Sequence, residues 1–259
     1  MSRLRNCFVF ALALTLIQGS LPLVAQDKTD ATAIVQRAIA ALGGEDAIRK
    51  TEHSHMTLNG KLYLGSDKHR LFRMESWVDG TSRSRTEMRM TVDGKELVVV
   101  KAVSGNTGWL MAGDAVSDIG ADELKEAQAS NRVANATKLY PLLTDSRYAI
   151  ERLADKMDGG QGVFVLKVSS KDHPDITLFI NQKTLLLARV SFTSTTGKYK
   201  GKLIEEVYSD YRKKAGTKIA HLRTIHRDGA KYFETELLSL EILTQVEPSL
   251  FKKPNKDLP

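Results

Sequence analysis

Between His55 and Val92 apolar and polar residues alternate with a period of two through three successive stretches. The first sets Met56, Leu58, Leu62 and Leu64 against His55, Thr57, Asn59 and Lys61. The second sets Phe72, Met74 and Val78 against Leu71, Arg73, Glu75 and Trp77, and the third sets Met88, Met90 and Val92 against Arg83, Arg85, Glu87 and Arg89. Side chains that alternate between two faces predict half-buried strands. Four of the seven methionines lie on the shared inner face. Methionine repacks easily around an irregular apolar partner, so two readings stay open for this face. It is either a core filled by protein or a pocket filled by a ligand.

The same patterning organises the rest of the chain. From Asp30 to Leu42, the residues Ile34, Val35, Ala38, Ile39 and Leu42 recur at helical spacing and end at Gly43-Gly44, an amphipathic helix with a glycine stop. Strands follow at about 54–64, 69–79, 82–92, 95–103, 107–111 and 114–118, with an Asp93-Gly94 hairpin signal between the third and fourth. Residues 121–143 change to Ala- and Leu-rich sequence without β-branched runs, predicting a helix broken or ended near Pro141. Its apolar positions include Leu124, Val133, Leu139, Tyr140 and Leu143, a stripe expected to cover the open face of the sheet as a lid. Seven more strands are expected at about 148–156, 161–170, 175–181, 185–195, 199–210, 218–228 and 231–243, the last two joined at Asp228-Gly229. Hairpins without crossover helices predict an antiparallel meander. The segment from Glu247 to Pro259, with three prolines, reads as an exposed tail.

The first 25 residues carry Arg3 and Arg5, an apolar run from Cys7 to Ile17, and Leu23-Val24-Ala25 before Gln26. This predicts a signal peptide cleaved near Ala25 and an exported protein, soluble outside the cytoplasm. Cys7, the only cysteine, would leave with that leader, so the mature chain is expected to have no disulfide, thiolate metal site or cysteine nucleophile. Removing the two leader arginines leaves 36 Lys plus Arg against 31 Asp plus Glu. That mild, dispersed excess without interleaved aromatics argues against nucleic acid as a partner.

The search for chemistry is brief. The chain has no Gly-x-Ser-x-Gly, no His-Glu-x-x-His and no phosphate-binding glycine loop. No catalytic residue and no cofactor is expected, and the chain is read as a non-enzyme. His53 and His55 share a strand face at a spacing that can bind a metal, yet no third ligand accompanies them, so no metal site is assigned. Arg73, Arg83, Arg85 and Arg89 form a stripe opposite the methionines, read as solvated surface or as an attraction for anionic head groups. Trp77 and Trp109 suit either a core or a cavity rim.

Several stretches together resemble a known family. These are Ala41-Leu42-Gly43-Gly44-Glu45-Asp46-Ala47-Ile48 at the helix end, Val92-Asp93-Gly94-Lys95, Gly108-Trp109, Leu139-Tyr140-Pro141-Leu142-Leu143 and Tyr208-Ser209-Asp210-Tyr211. In this order they are similar to the outer-membrane lipoprotein-sorting, LolA-like proteins. The resemblance implies a mainly β fold with helices (α+β): a curved antiparallel sheet forming an unclosed β-barrel covered by helices, as a single domain over residues 26–259. It implies a periplasmic carrier or chaperone for lipid or lipoprotein acyl chains, or else an envelope sensor or interaction module of the same fold that meets envelope membrane proteins. A monomer is expected. The implied lipid cavity comprises Met56, Leu58, Leu62, Leu64, Phe72, Met74, Val78, Met88, Met90, Val92 and Trp109.

Overall fold

The two alternating halves of the chain meet in one sheet. The structure is a computed structural model, and it describes residues 23–65, 68–171 and 173–254. The expected leader therefore lies almost wholly outside the described residues. The first helix, α1 (Leu23–Leu42), begins upstream of the expected cleavage point.

After the short α2 (Glu45–Arg49) come β1 (His53–Tyr63), β2 (His69–Asp79), β3 (Arg83–Val92), β4 (Lys95–Ser104), β5 (Thr107–Ala112) and β6 (Ala115–Asp118). Two helices follow, α3 (Ala121–Ala136) and α4 (Pro141–Thr144). The second run comprises β7 (Ala149–Asp158), β8 (Gln161–Ser170), β9 (His173–Asn181), β10 (Leu187–Thr193), β11 (Leu203–Lys214), β12 (Thr217–Arg227) and β13 (Ala230–Ile242). The sheet order is β6-β5-β4-β3-β2-β1-β13-β12-β11-β10-β9-β8-β7. Each run is a meander of antiparallel hairpins, and the two are joined where β1 pairs with β13. Among the described residues β6 and β7 remain as free edges, and the sheet is not closed into a barrel. Tight turns hold the hairpins. Asp93 and Gly94 have φ of 51° and 78°, and Asp228 and Gly229 have 47° and 78°, the left-handed pair that a two-residue turn between twisted strands requires.

The main core lies under the helices on the β7–β10 half. Ala31, Ile34, Val35, Ala38, Ile39 and Leu42 of α1 are all buried there, together with Leu166, Val168, Ile176, Leu178, Ile180 and Val190 of the strands. This is the stripe that the helical spacing predicts. Arg152 of β7 pairs with Asp30 at the start of the stripe. At its other end the Thr217 hydroxyl donates to the Leu42 carbonyl at 3.0 Å.

The structure departs from expectation in three places. The helix expected over 121–143 is broken near Pro141 as expected, but its first piece already ends at Ala136. A turn with Leu139 at φ 67° leads into α4, whose first residue is Pro141, where a missing N–H costs nothing. The strands expected at 185–195 and 199–210 are Leu187–Thr193 and Leu203–Lys214, because a helical turn at Gly197–Tyr199 intervenes. The third departure is the segment read as an exposed tail. Pro248–Phe251 forms a helical turn against β3 and β4, Val246 and Phe251 are buried, and the Trp109 indole donates to the Phe251 carbonyl at 2.9 Å. A sheet face with Val100, Ala102 and Trp109 on it needs an apolar cover. Phe251→Ala is therefore expected to cost about 3 kcal/mol, measured by urea denaturation; a loss under about 0.5 kcal/mol would mean that the segment does not cover this face.

Candidate functional site: a hollow on the helix-covered face

Register settles which side chains share the inner face. Leu58 pairs with Met74, Met74 with Met88, and Met88 with Val99. Gly60, Phe72 and Met90 form the next row, so the four methionines do lie on one side of the sheet. A hollow of about 300 Å³ opens on this side at the middle of the sheet. Met56, Leu58 and Met74 line it from β1 and β2. Leu187, Ile219 and Leu237 line it from β10, β12 and β13, and Leu42 and Ile48 close one end. Strands from β2 round to β10 thus bend about one space.

The other expected cavity residues fall elsewhere. Leu62, Val78, Met88 and Val92 share the inner face without lining the hollow. Phe72 and Met90 are buried. The Phe72 ring lies over Gly60, where a side chain would otherwise stand, and stacks on Phe233 with 4.7 Å between centroids. Leu64 lies past the end of β1 and is 54% exposed. Trp109 pairs with Ala102, which pairs with Arg85 and so with Trp77, placing it on the opposite face under the C-terminal segment. Period two separates the faces of one strand, but which face of β5 matches which face of β1 follows only from the pairing.

The expected lid residues divide in a similar way. Val133, Leu139, Tyr140 and Leu143 join the main core, and Leu124 is half-buried nearer the start of α3. The part of this segment that faces the hollow is the turn Thr137-Lys138. It is tied down beside the hollow: the Tyr140 hydroxyl donates to Glu52, and the Arg49 guanidinium lies 4.1 Å from the Tyr140 ring centroid. Along its length α3 is also held to the sheet by polar contacts. These are Asn131 to Ser84 and Lys101 to Glu123 at 3.1 Å. Such contacts re-form with water more readily than a packed apolar face does.

Sequence reading missed the polar side of the hollow. Tyr208 of β11 and Arg223 of β12, which pair with each other, face it, while Glu206, two residues before Tyr208, lines a smaller hollow beside it. One Glu206 oxygen accepts from Arg223 Nε at 3.0 Å, Arg223 Nη2 at 2.6 Å and the Tyr208 hydroxyl at 2.6 Å. Burial pushes the Tyr208 phenol up, and Glu206 adds to the effect. Burial works against the Arg223 cation, and Glu206 outweighs it, leaving the guanidinium raised. The Arg223 side chain keeps 43% exposure because it faces empty space on two sides, the main hollow and a smaller one beneath α3. Tyr211 donates to the Leu187 carbonyl at 2.8 Å, and burial raises its phenol as well. Alternation on β12 was legible, but an Arg and a His on the inner face read as an outer face until the β11 and β13 partners are known.

The arginine stripe is largely neutralised on the outer face. Glu87 bridges Arg85 and Arg89, and Arg83 pairs with Asp79. Burial would raise the Glu87 carboxyl, but hydrogen bonds from Arg85 and Arg89 outweigh it and hold the group below its usual range. His53 lies 2.5 Å from Asp79, and His55 stacks on Trp77. Among the described residues no three His, Cys, Asp or Glu side chains are placed to hold a metal, and no helix is long and apolar enough to cross a membrane.

No family model matches the sequence, and no curated protein matches it significantly. Solved structures do match. A LolA superfamily protein from Nitrosomonas europaea aligns with a TM-score of 0.57 at 10% identity over 86% of this chain and 97% of its own. A putative outer membrane lipoprotein-sorting protein domain from Vibrio parahaemolyticus aligns with a TM-score of 0.54 at 16% identity over the same shares. A DUF1329 family protein from Desulfovibrio piger aligns with 0.53 at 12%, again over 86% and 97%. The open antiparallel sheet bent about a central hollow, with helices on its inner side, is the LolA-like fold.

Proposed function

We propose that this chain is a periplasmic carrier that holds lipid or lipoprotein acyl chains in the hollow, with the α3–α4 segment as a movable cover. The observation that carries the reading is the hollow itself, apolar along Met56, Leu58, Met74, Leu187, Ile219 and Leu237. Its size is at the lower end for pockets that take small molecules. Burying roughly ten methylenes there would gain about 8 kcal/mol at about 0.8 kcal/mol each, which leaves a margin for opening a cover. Two of the similar solved structures, the lipoprotein-sorting domain and the LolA superfamily protein, support this use of the fold. On this reading residues 26–259 work as one exported domain after the leader is removed. The work is binding and release, with no bond made or broken.

Native mass spectrometry of the protein purified from its own envelope tests the proposal. A carrier arrives with acyl lipid that organic solvent extracts. Protein that arrives empty and takes up no acyl probe would instead fit an envelope sensor or interaction module of the same fold.

A further inference from the structure

Among the described residues the lining of the hollow holds basic side chains and no carboxylate. Lys138, Lys218, His221 and Arg223 contribute to it, and no Asp or Glu does. Three of these four are accounted for. Arg223 is matched by Glu206, the His221 ring nitrogen Nδ1 lies 3.1 Å from the Leu237 carbonyl, and Lys218 is exposed.

Lys138 is different. It sits half-buried in the turn between α3 and α4, within the expected cover, and among the described residues its ammonium has neither a hydrogen bond nor an ion pair. Glu52 is the nearby carboxylate, but it accepts from Tyr140 and lies 4.0 Å from Arg49. Burial pushes the Lys138 ammonium down, Glu52 opposes this and Arg49 adds to it. The neighbouring Thr51 and Thr137 hydroxyls donate to the Ile48 and Ala134 carbonyls and, being neutral, supply no counter-charge. A partly desolvated ammonium with no counter-charge, at the edge of an apolar hollow, is completed by an anion attached to an apolar chain.

We propose that the hollow takes a single-chain amphiphile with an anionic head group, the chain lying along Met56, Leu58, Met74 and Leu237 and the carboxylate or phosphate on Lys138. The inference rests on the reading of the hollow as an acyl-chain site. The hollow's size favours one chain over several. A head group at Lys138 also touches the cover segment, so a loaded hollow and a closed cover reinforce each other.

Calorimetric titration of the full chain with dodecanoate, dodecyl phosphate and dodecanol at neutral pH tests this. The two anions are expected to bind at least about tenfold tighter than the alcohol, a difference of about 1.4 kcal/mol. Lys138→Gln should bring the three within about twofold while leaving dodecanol unchanged, which also reports that the hollow is intact. Lys138→Arg should keep the preference. Equal affinities in the unaltered protein would overturn the head-group inference and leave the acyl-chain reading standing. A preference that survives Lys138→Gln, or a loss of all three ligands in that variant, would remove Lys138 from the role. Binding of none of the three by the unaltered protein would sink the acyl-chain reading, and this inference with it.

Discussion

Gly43→Ala is expected to destabilise the protein by about 3 kcal/mol. Gly43 has φ of 120°, where an L residue is strained by roughly 1–3 kcal/mol. A Cβ there would also run into the Gly216 carbonyl oxygen and stand 3.2 Å from Thr217 Cα. Both are backbone atoms of the β11–β12 turn, so the clash cannot be relieved by a side-chain rotation. It would push α1 off the turn at the point where Thr217 holds the Leu42 carbonyl. Gly44→Ala is the natural comparison. Its φ is 91°, but nothing stands within 4 Å of the added Cβ, so only the strain remains and the cost should be about 1 kcal/mol. Urea denaturation of the two variants separates the contributions. Equal losses would show that the close approach of the two turns does not matter.

The second large effect is on binding. Met74→Glu should weaken uptake of dodecanol at least about hundredfold, since a carboxylate facing the hollow must lose water when the chain enters, at a cost of about 3 kcal/mol. Folding should change little, because Met74 faces empty space and the carboxylate stays hydrated in the unliganded protein. Leu64→Glu provides the contrast: the same change at a position 54% exposed past the end of β1 is expected to leave uptake unaltered. Calorimetry with dodecanol on both variants decides the matter. Full uptake by Met74→Glu would remove this hollow as the acyl site.

Much of the architecture was legible along the chain. The α1 stripe, the order of strands and both Asp-Gly hairpins follow from short-range rules, because helical spacing, period two and turn chemistry each depend on residues a few positions apart. The methionine face is of the same kind, since three hairpin-linked strands must pair in register. The pairing of β1 with β13 is not local. It joins residues nearly 190 positions apart, and without it Leu237, His221 and Arg223 cannot be placed beside Met56. The same limit put Trp109 in the cavity and Phe251 in a free tail. One sheet face is distinguished from the other only once a distant segment has covered it.

What the sequence by itself determined is therefore the set of elements, their antiparallel order and an apolar inner face rich in methionine. The tertiary structure alone decided which part of that face stays open. α1, α4 and the C-terminal half of α3 bury the β7–β10 side, and of the α3–α4 segment only Thr137-Lys138 lines the hollow, with Leu42 and Ile48 at one end. The physical reason is that alternation reports which side chains turn away from water. Whether protein atoms or empty space meet them there depends on the remote segments that pack across the sheet.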